Sequence, residues 1–282
     1  IIFVFESYKA YFMKNTSFSS ESVYLKIPSN TTKSQLLDSL SNYLIDLRTF
    51  EKAANKKEYL LNIKAGRFLI KKDYSNNEII NSLRSNNIPV QVTFNNIETL
   101  NKLAGTISKK IEADSASIVM AFNETKFLNE LNLNEDSVFS LFIPNTYEFF
   151  WNTDAIGFRE RVVKEFDNFW NDNRVEKVKK INLNPIEAMV LASIVQKETP
   201  KVDERPTIAG VYLNRLRKNM KLQADPTVVY SIKQKQGFDK VIRRVLYKDL
   251  RIKSKYNTYY VKGLPPGPIV TPDISSIESV IN

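Results

Sequence analysis

Histidine and cysteine are both missing from the 282 residues. Without them the chain can build neither a serine–histidine nor a cysteine–histidine nucleophile, and the usual zinc-ligand sets are closed to it. Glycine is scarce, with seven in all. None stands in a GxGxxG or GxxxxGKS/T pattern, so a phosphate-cradling loop is not expected. Nor is there a Ser-x-x-Lys, the signature of a serine–lysine nucleophile. Any chemistry must rest on carboxylates, tyrosines or lysines, and no metal or cofactor is expected. Absence of cysteine fits an exported protein, which avoids stray disulfides. Long apolar runs are lacking too: "IIFVF" (1–5) falls far short of the roughly 20 residues that span a bilayer. It fits either the tail of a membrane helix or a first strand.

What is present is ordinary hydrophobicity, 43%, beside an uneven charge of +10. That composition and length suit a soluble globular chain of one large domain or two of ordinary size. Residues 183–282 hold 17 Lys and Arg against 9 Asp and Glu, a surplus of +8, whereas the first 182 hold 24 against 22, a surplus of +2. The basic surface therefore belongs to the C-terminal third, and its expected partner is anionic: nucleic acid, a membrane surface or an acidic polymer.

Three segments repeat a strand-then-helix plan: 23–50, 59–87 and 90–113. In the first, a short strand is followed by the turn and cap "PSNTT", and Leu36, Leu37, Leu40, Leu44 and Leu47 then recur at helical spacing. From 115 to 182 the pattern is helical, and the aromatic clusters at 138–153 and 166–170 read as core, with a sugar-stacking floor beside Pro144 and Asn145 as the alternative. Asn184 and Pro185 then mark a helix start, cap and first position respectively. The run "IEAMVLASIV" is apolar on nearly every side, as in a helix buried by its neighbours.

That helix ends on an acid, in "LASIVQKETP" (191–200). Glu198 shares a face with Leu191, Ile194 and Val195, which directs its carboxyl toward the core or a cleft floor. Burial raises a carboxyl pKa, and a glutamic acid tuned in this way serves as a general acid near neutral pH. The plainer alternative is a helix-end carboxylate paired with Lys197 or Arg205. Downstream, a helix is expected from about Pro206 to Lys218, and another begins at Pro226 and Thr227 with Asp225 as its cap. "KYNTYYVKGLPPGPIVTP" (255–272) reads as a rigid surface loop whose tyrosines, asparagine and threonine suit sugar rings.

"LASIVQKET", "ERPTIAGVYLNRLRKNMKLQADPTVVY", "YNTYYVKGLPPGPI" and "SIES" resemble, in order and spacing, the YceG-like endolytic murein transglycosylases, the MltG family. Upstream, "IKAGRFLI" is similar to that family's LysM-like region and "LFIPNTYEFF" to the segment before its catalytic part, so the likeness covers roughly 23–282. It implies an α+β protein: a juxtamembrane stub (1–22), a LysM-like α+β region (23–114) and a mainly helical, lysozyme-like catalytic domain (115–282). The implied reaction is non-hydrolytic cleavage of MurNAc-β-1,4-GlcNAc bonds within nascent glycan strands, leaving 1,6-anhydroMurNAc ends. Glu198 is the implied catalytic residue. Gln196, Asn214, Gln223, Asp225, Thr227, Tyr256, Asn257 and Thr258 match the family's cleft.

The implied partners are peptidoglycan strands and peptidoglycan synthases. The implied location is the bacterial cytoplasmic membrane, held by one N-terminal helix of which "IIFVF" is the remnant, with the catalytic domain outside. Three departures stand out: Gln196 replaces an acid common in the family, Asn145 an aspartate, and the chain stops at Asn282 before a further strand segment. Two other functions fit the sequence less well: a non-catalytic peptidoglycan-binding scaffold, and a nucleic-acid binder, for which no recognised motif is present.

Overall fold

The computed structural model describes Tyr8 and residues 10–282; "IIFVF" lies outside the described residues. The fold mixes helix and sheet, as expected of an α+β protein. The chain forms two compact units. The first comprises the described residues up to Val92 with 110–113 and 148–154, and the second comprises 93–109, 114–147 and 155–282. The segment 90–113 is thus shared out between the units, and the division is not a single cut near 114. Among the described residues no helix is long and apolar enough to cross a membrane.

In the first unit β1 (Ser22–Ile27) pairs antiparallel with β2 (Gly66–Lys71), Leu25 opposite Phe68 and Val23 opposite Ile70. Alternation turns Leu25, Ile27, Phe68 and Ile70 inward, where α1 (Lys33–Ser41), α2 (Leu47–Lys56) and α3 (Asn76–Ser85) supply Leu36, Leu40, Phe50, Ile79, Ile80 and Leu83. Thr32 with Gln35 and Ser75 with Glu78 form reciprocal capping boxes at the starts of α1 and α3. The leucine periodicity from 36 to 47 does not become one helix. Asn15 donates to the Asp46 carbonyl and to the Asn76 side chain, and accepts from the Asp46 amide at 2.7 Å. Asp46 is thereby fixed as the cap of a separate helix, α2. From Ala10 onward, then, the segment expected to be a juxtamembrane stub takes part in the first unit's hydrogen bonding.

Apart from the parts of the strands β3 (Val90–Phe94) and β4 (Asn145–Phe149) that fall within it, residues 93–94 and 145–147, the second unit is helical. Its helices are α4 (Leu100–Ile107), α5 (Ser115–Phe122), α6 (Thr125–Glu130), α7 (Ala155–Phe169), α8 (Asp172–Lys180) and α9 (Pro185–Glu198), then α10 (Arg205–Arg217), α11 (Asp225–Gln236) and α12 (Ile274–Ile281). Most of the aromatic residues of the two clusters are core, though Phe150 is exposed; Phe122 and Phe142 meet at 4.8 Å between ring centroids, and Phe94 stacks on Tyr147 at 5.4 Å. α9 is the central helix, capped by an Asn184–Glu187 box, buried from Ala188 through Val195 and packed by α8, α10, α11 and α12.

The proline-rich segment departs from expectation. Residues 267–272 are buried. The Ile269 amide donates to the Ser193 hydroxyl at 3.1 Å, and the Thr271 amide to the Ile97 carbonyl at 2.8 Å. Gly267 is required here, since a Cβ would stand 2.1 Å from the Asp136 carbonyl oxygen. Proline and glycine remove donors and bulk, which lets this loop run through the interior instead of over it.

Candidate active site

Glu198 occupies the last turn of α9, where burial of the helix ends. Leu191, Ile194 and Val195 on its face are fully buried, while Glu198 itself opens to solvent. Of the two orientations expected, the cleft floor is the one observed. Behind it the Thr199 hydroxyl donates to Glu204 at 2.8 Å and accepts the Lys201 amide at 3.1 Å. That tight turn brings α10 back alongside α9. On α10 the buried Tyr212 donates its hydroxyl to Glu198 Oε2 at 2.9 Å. The ion pair offered as the plainer role does not form: Arg205 is buried and spends its charge on Asp273 at 2.8 Å.

A cavity of about 320 Å³ is lined by Glu198 together with Glu98, Lys197, Asp225 and Lys233 and by Pro226, Val229, Tyr230 and Ile269. Asp225 does not cap α11. The cap is Ala224, without a side-chain bond, and the Asp225 carboxylate turns aside to accept the Tyr259 hydroxyl at 2.7 Å.

Four residues expected to touch substrate are instead buried, with their polar atoms used internally. The Thr258 hydroxyl accepts the Ala224 amide at 3.0 Å and shares a bond of 2.8 Å with the Thr227 hydroxyl, which also accepts the Thr258 amide. Asn257 donates to the carbonyls of Leu250 and Ile252 and accepts the Tyr259 amide at 3.0 Å. Tyr256 donates to Asp136 at 3.0 Å and packs on Tyr230, with centroids 4.7 Å apart. These residues are the frame that sets Tyr259 against Asp225.

Three more expected residues lie elsewhere. Gln196 accepts the Asp273 amide and binds α9 to the start of α12. Asn214 stands two residues from Tyr212 and so on another face of α10, in a separate depression with Asn182 and Leu183. Gln223 is exposed, in a left-handed backbone conformation with φ 54°, and accepts Arg215 at 3.1 Å; Arg215 also holds the Leu222 carbonyl at 2.7 Å. Tyr212 and Tyr259, not among the expected site residues, are the two tyrosines that hydrogen-bond Glu198 and Asp225. Tyr212 follows the buried Ala209 by three residues and reads as one more core position; Tyr259 sits in a run of tyrosines that gives no phase.

Burial pushes the Glu198 carboxyl above the ordinary glutamate range. The Tyr212 hydrogen bond opposes the shift, and the nearby Asp225 charge adds to it. The negative end of α9's dipole acts in the same sense as burial. Tyr212 is pushed upward by burial and then by Glu198, which keeps it a donor. Tyr259 is pushed up to about 12, by burial and by Asp225. A carboxyl whose pKa is raised, in an open cleft with a fixed donor on one oxygen, is equipped for proton transfer. Among the described residues no group of three or more Asp and Glu is placed to hold a metal.

Two substitutions should displace the pH profile in opposite directions. A general acid works while protonated, so activity falls as pH rises through its pKa. Tyr212→Phe removes a bond that favours the carboxylate, so the alkaline limb of kcat/KM should move to higher pH. Asp225→Asn removes a repelling charge, so the limb should move to lower pH, with the rate at its optimum kept within roughly tenfold because the asparagine oxygen still accepts Tyr259. Purely structural roles would lower the whole profile and leave the limb where it was.

The sequence profile of the YceG-like family matches residues 25–282. The chain belongs to this family. It is 28% identical to an endolytic murein transglycosylase of Bacillus subtilis, over 94% of this chain and 76% of that protein. A stretch of 105 residues, 37% of the chain, is 39% identical to 19% of an endolytic murein transglycosylase of Streptococcus pneumoniae. Among solved structures, a YceG-like protein of Listeria monocytogenes shares the fold, with a TM-score of 0.60 at 24% identity over 93% of this chain and 90% of that one.

Proposed function

We propose that this protein is an endolytic peptidoglycan lytic transglycosylase that cuts MurNAc-β-1,4-GlcNAc bonds within glycan strands. The observation that carries the reading is Glu198: one carboxyl, raised in pKa, hydrogen-bonded by Tyr212 and facing an open cavity in a member of the YceG-like family. Glu198 donates its proton to the departing GlcNAc O4 as the C1–O4 bond breaks. The same carboxylate then takes the proton from the MurNAc C6 hydroxyl as O6 bonds to C1. Atoms and charge balance without water, and the new end is a 1,6-anhydroMurNAc.

A second reading is hydrolysis, favoured by one observation: Asp225 lines the same cavity, and two carboxyl groups flanking a bond are the common means of glycoside hydrolysis. Its engagement with Tyr259 supports the orienting role instead. Digestion of purified peptidoglycan followed by mass analysis separates the two, since the anhydro product is one water lighter than the hydrolytic one.

Three finer features belong to the same proposal. The first unit, with its β1–β2 pair and capped helices, acts as a LysM-like glycan-binding part, and the second is a lysozyme-like catalytic part. The protein is held at the outer face of the cytoplasmic membrane by a segment before the described residues. There it works beside peptidoglycan synthases. Exposed Lys240, Arg243, Arg244 and Lys248 suit the anionic wall or membrane surface at that location.

A further inference from the structure

Lys197 stands one residue before the acid and lines the same cavity. Lys233, across that wall, is satisfied: its ammonium meets Glu98 at 2.6 Å, with both side chains less than a fifth exposed. Among the described residues Lys197 has no ion pair or hydrogen bond of its own. Burial disfavours its charge and the neighbouring Lys233 adds to this, with Glu98 opposing, so its pKa lies below the usual lysine value. The cavity lining thus holds two ammoniums, of which Lys233 is paired with Glu98 and Lys197 is not, beside the apolar Pro226, Val229 and Ile269. The other two acids of the lining are committed, Glu198 to Tyr212 and Asp225 to Tyr259. A neutral ligand entering here would cover the Lys197 ammonium without pairing it, whereas a carboxylate would pair it.

We propose that the Lys197 wall is a carboxylate subsite, which selects muramoyl units carrying a free carboxylate close to the scissile bond. The inference rests on the transglycosylase reading for its substrate. Two sources share the required chemistry. In a strand stripped of peptide the lactyl arm on O3 of the muramoyl ring ends in a carboxylate. In a strand that keeps its peptides the lactyl carboxyl is an amide, and the nearest negative charges are those of the stem. The arm is short, so either source brings the charge beside the ring whose C1 reacts.

The test measures binding and cleavage separately. Four strand preparations are needed: peptide-stripped and stem-bearing glycan, each with its carboxyl groups free or converted to amides. Binding is measured with Glu198→Gln protein, so it is independent of turnover. Amidation should weaken binding by about tenfold on at least one of the two strands, the worth of one partly desolvated charge-assisted hydrogen bond. Which strand loses affinity identifies the source. Adding Lys197→Met to Glu198→Gln should reduce that ratio to about one, and Lys197→Arg should restore it; melting curves confirm that each protein is folded. Equal binding of free and amidated strands, or a ratio unchanged by Lys197→Met, would overturn the subsite. Failure of the wild-type protein to cut any preparation would instead count against the proposed function, while the binding ratios would still decide whether Lys197 pairs with a carboxylate.

Discussion

Glu198→Gln should lower kcat/KM by on the order of 10²–10⁴-fold or more, the usual contribution of general acid–base catalysis. The amide keeps the shape of the side chain, and its oxygen can still accept the Tyr212 hydroxyl. It can neither give the proton to O4 nor take one from O6. Strand binding and thermal stability should stay near wild type, because the substitution removes a charge that burial already disfavoured. The check is a steady-state rate on purified strands beside a melting curve of the same preparation. A variant that cuts at the wild-type rate would remove Glu198 from the chemistry.

Asn257→Ala should act through stability. The native amide satisfies the carbonyls of Leu250 and Ile252 and the amide of Tyr259, at a position with no solvent exposure. Truncation leaves three part-buried backbone groups without their partner, at a cost of about 3 kcal/mol. For a unit of this size that corresponds to a fall in Tm of roughly 6–12 °C. At temperatures where the variant is folded, the loosened loop should still lower activity, since the Asn257–Tyr259 segment sets Tyr259 against Asp225. A ligand-binding asparagine would behave in the reverse way, with Tm kept and KM raised.

Local signals in the chain carried much of this structure. Asn184 with Pro185 marks the start of α9, the unbroken apolar run marks it as buried, and Glu198 at its end stands in the cleft. The helix expected over 206–218 is α10, displaced by one residue. Tertiary terms defeat the rest. A leucine period spanning 36 to 47 is cut because Asn15, some thirty residues away, binds both sides of the Asp46 peptide. Asn257, Thr258 and Thr227 match a cleft by motif, yet a motif records which residues are needed, and here they are needed to build the loop. The prolines and glycines of 263–272 point to a surface loop until Ser193 and Ile97 draw it inside. Tyr212 was illegible because a helical tyrosine beside apolar neighbours has the pattern of core whether or not its hydroxyl meets a carboxylate.

Digestion of purified glycan strands in ¹⁸O-labelled water, with wild-type and Glu198→Gln protein side by side, tests the central claim most directly. If the C6 hydroxyl is the nucleophile and Glu198 the only acid and base, the wild-type products carry 1,6-anhydroMurNAc ends without solvent oxygen, and the variant yields almost none. Label at the new reducing end would show that water is the nucleophile and contradict the single-acid scheme.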